Sequence, residues 1–137
     1  MAVDRVRPDK VRGPRKVLFD SSFLIAAMER PTPWQHDIVG YLGRIDGVVL
    51  QPVRAELERL AGAGGRQSSY ARLALELIDR GALRFEASGR GRADDELVSQ
   101  ALRDGAAVAT IDGNLIRQLR ASHVEVVSLR SGRVALV

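Results

Sequence analysis

The sequence predicts an α/β domain built on a mainly parallel sheet covered by helices on both faces. Three observations carry that expectation. Short apolar runs at Val17–Phe19, Val48–Leu50 and Ala107–Ile111 are too brief for helices and read as buried strands. Stretches with apolar residues at helical spacing alternate with them, and such alternation implies right-handed crossovers. Two of the runs also end on an acid, Asp20 and Asp112, at the carboxyl end of a strand, where open α/β sheets place their ligand sites.

The chain has 137 residues, enough for one domain with its own core. It has no cysteine, which rules out disulfides, thiolate zinc sites and cysteine nucleophiles and suits a reducing cytoplasm. No apolar run approaches membrane-spanning length, and the polar start lacks the apolar core of a signal peptide. The expectation is a soluble cytoplasmic protein with no membrane partner. The formal net charge of +4 sits in the first sixteen residues, where Arg5, Arg7, Lys10, Arg12, Arg15 and Lys16 face only Asp4 and Asp9. Such an arm suits a polyanion such as RNA, and it equally suits a solvated tail that aids solubility.

Taken in order, residues 1–14 contain Pro8, Gly13 and Pro14, have no apolar period, and read as a flexible basic arm ahead of a domain over 15–137. A strand follows at about 15–19, then a helix at about 22–28 with Ser21 or Ser22 as its cap. Pro31 and Pro33 break it. Trp34, Ile38, Tyr41, Leu42 and Ile45 then fall on one helical face, with Trp34 and Tyr41 read as packing residues. Gly47 ends that helix before the strand Val48–Leu50, and Pro52 suits the first turn of the next helix.

Gly62-Ala63-Gly64-Gly65 follows a helix, not a strand, so it fits neither a dinucleotide site nor a P-loop. A helix over 67–80, a short strand at Leu83-Arg84-Phe85 and a basic loop at Ser88–Arg92 come next. Leu97, Val98, Ala101 and Leu102 stripe a helix that ends near Gly105. After the strand Ala107–Ile111, Leu115, Ile116 and Leu119 stripe a short helix. Val124–Val127 is a strand, and Ser131-Gly132 turns a final hairpin into Val134–Val137.

Four acids fall at strand ends or helix starts, positions that can converge on one sheet edge: Asp20, Glu56, Asp94 and Asp112. Each has an ordinary reading. Asp94 and Asp95 suit the positive end of a helix dipole. Glu56 fits a solvated face with Arg54 and Glu58, and Asp112-Gly113-Asn114 fits a turn. Yet a purely structural chain has little reason to place acids directly after buried strands. Carboxylates brought together repel unless a cation neutralises them. Oxygen donors without histidine or cysteine suit Mg²⁺ or Mn²⁺, and such a site supports phosphodiester hydrolysis.

Over about residues 16–130 the chain resembles PIN-domain ribonucleases. The resemblance rests on Val-Leu-Phe-Asp20-Ser-Ser-Phe-Leu, Gln-Pro-Val-Arg-Ala-Glu56-Leu-Glu-Arg-Leu, Ala-Asp94-Asp95-Glu-Leu and Ala-Thr-Ile-Asp112-Gly-Asn-Leu, in that order. It implies a three-layer α/β/α sandwich and an endoribonuclease whose Asp20, Glu56, Asp94 and Asp112 bind Mg²⁺ or Mn²⁺, with Asp95 as a further candidate ligand. One departure stands out: the motif usually has Asn two residues after its first Asp, and this chain has Ser22.

Ser21, Ser22 and Thr110 are expected to orient the ligands, and Arg90, Arg92, Arg117 and Arg120 to contact RNA phosphates. Two branches compete: small archaeal and eukaryotic proteins of ribosomal RNA processing, which the basic arm and Gly91–Asp95 favour, and toxins of the VapC kind. The expected partners are therefore RNA with a ribosome precursor, or an antitoxin, and a homodimer is a further possibility. A non-catalytic RNA-binding or assembly factor with the same fold is the competing class. An α/β phosphatase-like use of Asp20 as nucleophile would want an acid two residues later, where Ser22 stands.

Overall fold

The run Val17-Leu18-Phe19 is wholly buried and forms the end of β1 (Arg15–Phe19), the strand around which the other elements assemble. The structure is a computed structural model and describes residues 13–87 and 89–137. The expected basic arm, apart from Gly13 and Pro14, lies outside the described residues, as does Ser88 of the basic loop.

From β1 the chain continues through α1 (Ser21–Glu29), α2 (Trp34–Leu42), β2 (Ile45–Leu50), α3 (Gln51–Ala63), α4 (Arg66–Asp79) and β3 (Arg84–Glu86). It returns through α5 (Ala93–Asp104) to β4 (Ala107–Ala109), then α6 (Gly113–Ala121), β5 (Val126–Arg130) and β6 (Arg133–Leu136). The six strands form one sheet in the order β3-β2-β1-β4-β5-β6, parallel throughout except for the terminal β5–β6 hairpin. β1 pairs with β2 on one side, Leu18 opposite Val48, and with β4 on the other, Phe19 opposite Ala109.

Right-handed crossovers put the helices leading to β2 and β3 on one face, and those leading back to β4 and β5 on the other. The packing follows: α1, α3 and α4 lie against one another, while α5 touches α6, β1, β2 and β4. The result is the expected three-layer sandwich. Between the layers, Phe19, Phe23 and Trp34 meet edge to face with ring centroids 5.3 to 6.2 Å apart, so Trp34 is a packing residue. Among the described residues no helix is long and apolar enough to cross a membrane.

Several boundaries differ from the sequence reading. The helix expected to reach Ile45 ends at Leu42, because Gly43 turns out at φ 79° and Ile45 pairs with Arg15 as the start of β2. β4 is shorter than expected and ends at Ala109; Thr110 leaves the strand path but still donates its N–H to Val127 O. β5 starts at Val126, later than expected, and runs to Arg130. The cap of α1 is Asp20 and not Ser21 or Ser22, yet its side chain caps nothing because it is engaged elsewhere.

The strand order reverses direction at β1. From β1 the chain moves to β2 on one side and later returns to β4 on the other. The carboxyl ends of β1 and β4 therefore flank a crevice at a topological switch point, the place where such sheets bind ligands.

Candidate functional site

Asp20 follows β1 directly, with 4% of its surface exposed, and its N–H donates to Ala109 O at the end of β4. A carboxylate so buried needs hydrogen bonds. Two hydroxyls supply them, both to Oδ2: Ser22 Oγ at 2.6 Å and Thr110 Oγ1 at 2.8 Å. The hydroxyls lie 3.2 Å from each other, and Ser22 Oγ also accepts from the N–H of Ile111 at 3.2 Å. Thr110, wholly buried, accepts from the N–H of Asp112 at 3.1 Å. Residue 22, where the motif departs from its usual form, therefore stitches the ends of β1 and β4 together through Asp20.

Asp112 caps α6. Its Oδ1 accepts from the N–H groups of Asn114 and Leu115 at 2.9 and 3.2 Å. Glu56, in the second turn of α3, accepts at Oε1 from Ser21 Oγ at 3.0 Å, while its Oε2 lies 3.8 Å from Arg59. Arg54 and Glu58 pair with each other on a different side of α3, so Glu56 does not share their solvated face. Among the described residues, Asp20 Oδ1 and Asp112 Oδ2 accept no hydrogen bond. Among the described residues each of the three carboxylates is hydrogen-bonded through one oxygen only, with Arg59 facing the second oxygen of Glu56.

Asp94 opens α5 and is half-buried. Burial raises its carboxyl from the ordinary aspartate value, and the charges of Asp20, Asp112 and Glu56 push it further; Arg92 opposes them. The four acids from four separate junctions thus share one electrostatic neighbourhood. Asp95 is exposed. One helical residue further on, it points about 100° away from Asp94.

The donor set is oxygen only, which fits a hard divalent cation such as Mg²⁺ or Mn²⁺. Among the described residues, however, no three acidic, histidine or cysteine side chains stand close enough to ligate a single ion as they lie. An ion would have to draw the open oxygens inward.

Beside the acids lies a groove of about 500 Å³, lined by the start of α3 (Gln51, Pro52, Ala55, Glu56, Arg59) and the loop Gly89–Ala93. Arg90 and Arg92 line it as well. Gly89 takes φ 71°, a conformation that favours glycine in that wall. Arg117 is exposed and donates to Asn114, and Arg120 is exposed in the last turn of α6; neither lines the groove. Sequence reasoning missed Arg59 and Gln51. The spacing of Arg59 three residues after Glu56 on a helix was the available signal.

No functionally curated protein matches the chain. Solved structures show the same fold. The PIN domain endonuclease Utp24 is 21% identical with a TM-score of 0.74, covering 90% of this chain and 91% of its own. VapBC-1 from nontypeable Haemophilus influenzae is 15% identical with a TM-score of 0.60, covering 82% and 96%. A domain of a functionally unknown protein from Methanocaldococcus jannaschii DSM 2661 is 18% identical with a TM-score of 0.58, covering 85% and 92%. In sequence, the model of a PIN like domain matches residues 17–132, nearly the whole described fold, and the chain belongs to that family.

Proposed function

We propose that this protein is a divalent-metal-dependent endoribonuclease that hydrolyses RNA phosphodiester bonds. The observation that carries the reading is the way Asp20, Glu56 and Asp112 are each held through one oxygen, around an Asp94 whose ionisation the other three oppose. That arrangement orients carboxylates at the cost of mutual repulsion, which a cation would relieve. Likeness to the endonuclease Utp24 supports the reaction class.

Asp20, Asp94 and Asp112, with Glu56, would hold Mg²⁺ or Mn²⁺. Once bound, such an ion supplies an acidified water and neutralises charge developing on the phosphate. The chain's own residues set the geometry. Thr110 and Ser22 fix the Asp20 carboxylate, Ser21 fixes Glu56, and the cap of α6 fixes Asp112. Arg90 and Arg92 grip phosphates of the strand, with Arg117 and Arg120 further out.

A role in ribosomal RNA processing fits the basic arm and the Gly91–Asp95 run. The likeness to VapBC-1 favours a second reading, a toxin paired with an antitoxin. Growth arrest on expression of the wild type, absent for an inactive variant, would favour the toxin.

The central test is substitution at the acids. Asp20→Asn and Asp112→Asn should abolish Mn²⁺-dependent cleavage of RNA. Asparagine caps helices as well as aspartate does, so the second variant separates chemistry from folding. Cleavage surviving in both variants, or in excess EDTA, would sink the proposal.

A further inference from the structure

The amino ends of β1, β2 and β3 border a further cavity, on the sheet edge opposite the acids. It measures about 350 Å³ and is lined by Trp34 and Val39 of α2, Arg44 and Ile45 at the start of β2, and Leu83 before β3. Pro14, where the basic arm joins the fold, forms part of its rim. The three strands run parallel, so this cavity and the acids lie a strand's length apart.

Trp34 sets the chemistry of the cavity. Its ring packs edge to face on Phe19 and Phe23, and 6% of the residue is exposed. A buried indole N–H ordinarily finds an acceptor. Among the described residues this one has none, and it is not sealed from solvent as the Thr32 hydroxyl is. The opening left to it is the cavity that Trp34 lines. An aliphatic side chain of a partner protein, seated there, would cover the N–H with hydrocarbon and strand it. A nucleobase offers apolar faces to Val39, Ile45 and Leu83, and acceptors in its plane to the N–H. Unpaired bases are recognised in this way, splayed out and hydrogen-bonded on their edges.

Charge points to the same ligand. Arg44 is exposed, and among the described residues it has no acidic partner. Its planar guanidinium matches a phosphate through two donors. The arm that joins at Pro14 carries Arg5, Arg7, Lys10 and Arg12 against Asp4 and Asp9. A strand with a phosphate at every nucleotide can engage Arg44 and the arm together.

We propose that this cavity is a second RNA-binding site, which takes one unpaired nucleobase against the Trp34 N–H while Arg44 holds an adjoining phosphate. RNA bound there is anchored at the amino end of β1, away from the acids. The site needs neither metal nor cleavage, so it stands or falls apart from the ribonuclease reading.

Trp34 is the one tryptophan of the chain, so its fluorescence reports on this cavity alone. The full chain is titrated in EDTA with a short single-stranded RNA, and affinity is measured in parallel by anisotropy of the same RNA carrying a fluorophore. RNA should quench Trp34 saturably. Arg44→Gln should weaken binding about tenfold, the equivalent of removing one charge-assisted hydrogen bond. It should also flatten the dependence of log affinity on log salt by about 0.7. Arg44→Lys should recover part of the loss. Val39→Glu puts a carboxylate at an exposed helical position on the rim, and should abolish the quench with the circular dichroism unchanged. Arg130 is exposed and does not line the cavity, so Arg130→Gln controls for net charge and should bind as the wild type does.

RNA binding that leaves Trp34 emission unchanged, a quench that survives Val39→Glu, or an equal loss in Arg130→Gln would overturn the proposal. So would a glutamate- and leucine-rich peptide that quenches Trp34 as RNA does, which would make the cavity a protein-docking surface. Quenching that depends on Arg44, in a protein that cleaves no RNA with Mn²⁺, would instead sink the ribonuclease reading and leave this site standing.

Discussion

The Oγ1 of Thr110 donates to Asp20 Oδ2 at 2.8 Å and accepts from the N–H of Asp112 at 3.1 Å. One buried hydroxyl thus ties together two acids that enter from different strands. Thr110→Val keeps the shape and removes the tie. It strands the Asp112 N–H, which should cost about 1–3 kcal/mol of stability in urea denaturation. If Asp20 and Asp112 act on a metal, loss of this support should lower Mn²⁺-dependent cleavage about 10–100-fold, with Thr110→Ser restoring most of it. Full activity in Thr110→Val would show that the acids hold their places without the hydroxyl.

Asp94 carries the cost of the cluster. Its raised carboxyl binds a proton more readily in the folded state than in the unfolded one, so its ionisation penalises folding as pH rises through the carboxylate range. Asp94→Asn should therefore melt at a higher temperature than the wild type in EDTA near neutral pH. The gap should close in acid, where Asp94 is itself protonated. Adding Mn²⁺ should stabilise the wild type more than the variant. A variant no more stable than the wild type in EDTA contradicts the repulsion inferred for the cluster.

Far along the chain, Asp37 on α2 receives Arg133 of β6 through two contacts, at 2.8 and 2.6 Å, and the N–H of Val134 at 3.3 Å. The Arg133 guanidinium holds the Asp37 carboxyl down from 3.8 to about 2. A depressed carboxylate stabilises the fold fully above its unfolded value, and loses that contribution as pH falls through the folded one. Asp37→Asn should be clearly less stable than the wild type near neutral pH. The difference in urea midpoint should shrink between about pH 4 and pH 2. A gap that stays constant over that range would mean the pair's charge plays no part.

The basic arm supplies the remaining prediction. Arg5, Arg7, Lys10 and Arg12 all lie within residues 1–14. If the arm binds RNA, its removal should reduce the salt slope of binding by up to about 0.7 for each phosphate that the arm neutralises. An unchanged slope would leave the arm a solubility tail.

The sheet and its order of elements were legible because buried parallel strands leave continuous apolar runs, and Val17–Phe19 and Val48–Leu50 are such runs. The error at Ile45 has a physical source. That residue continues a helical stripe in sequence, but a turn at Gly43 and pairing with Arg15 override the local period. The Asp37–Arg133 pair joins residues 96 apart and left no local pattern to read.

At the acidic edge, the junction positions of Asp20 and Asp112 were visible in the sequence. The division of labour between their oxygens was not, since it depends on Thr110 and Ser22 meeting across two strands. Likewise the sequence let Glu56 serve either as a site acid or on a solvated face with Arg54 and Glu58, and the helix turns it toward Ser21 and Arg59.

β1 enters the sheet at Arg15 and leaves it at Asp20. The arm and the acids are therefore rooted at opposite ends of one strand, about 17 Å apart at 3.3 Å per residue. An RNA held both at the acids and at the root of the arm would run along the flank of the domain. The scissile bond would then sit near one border of the protected stretch, and the nucleotides on one side of it would carry most of the grip.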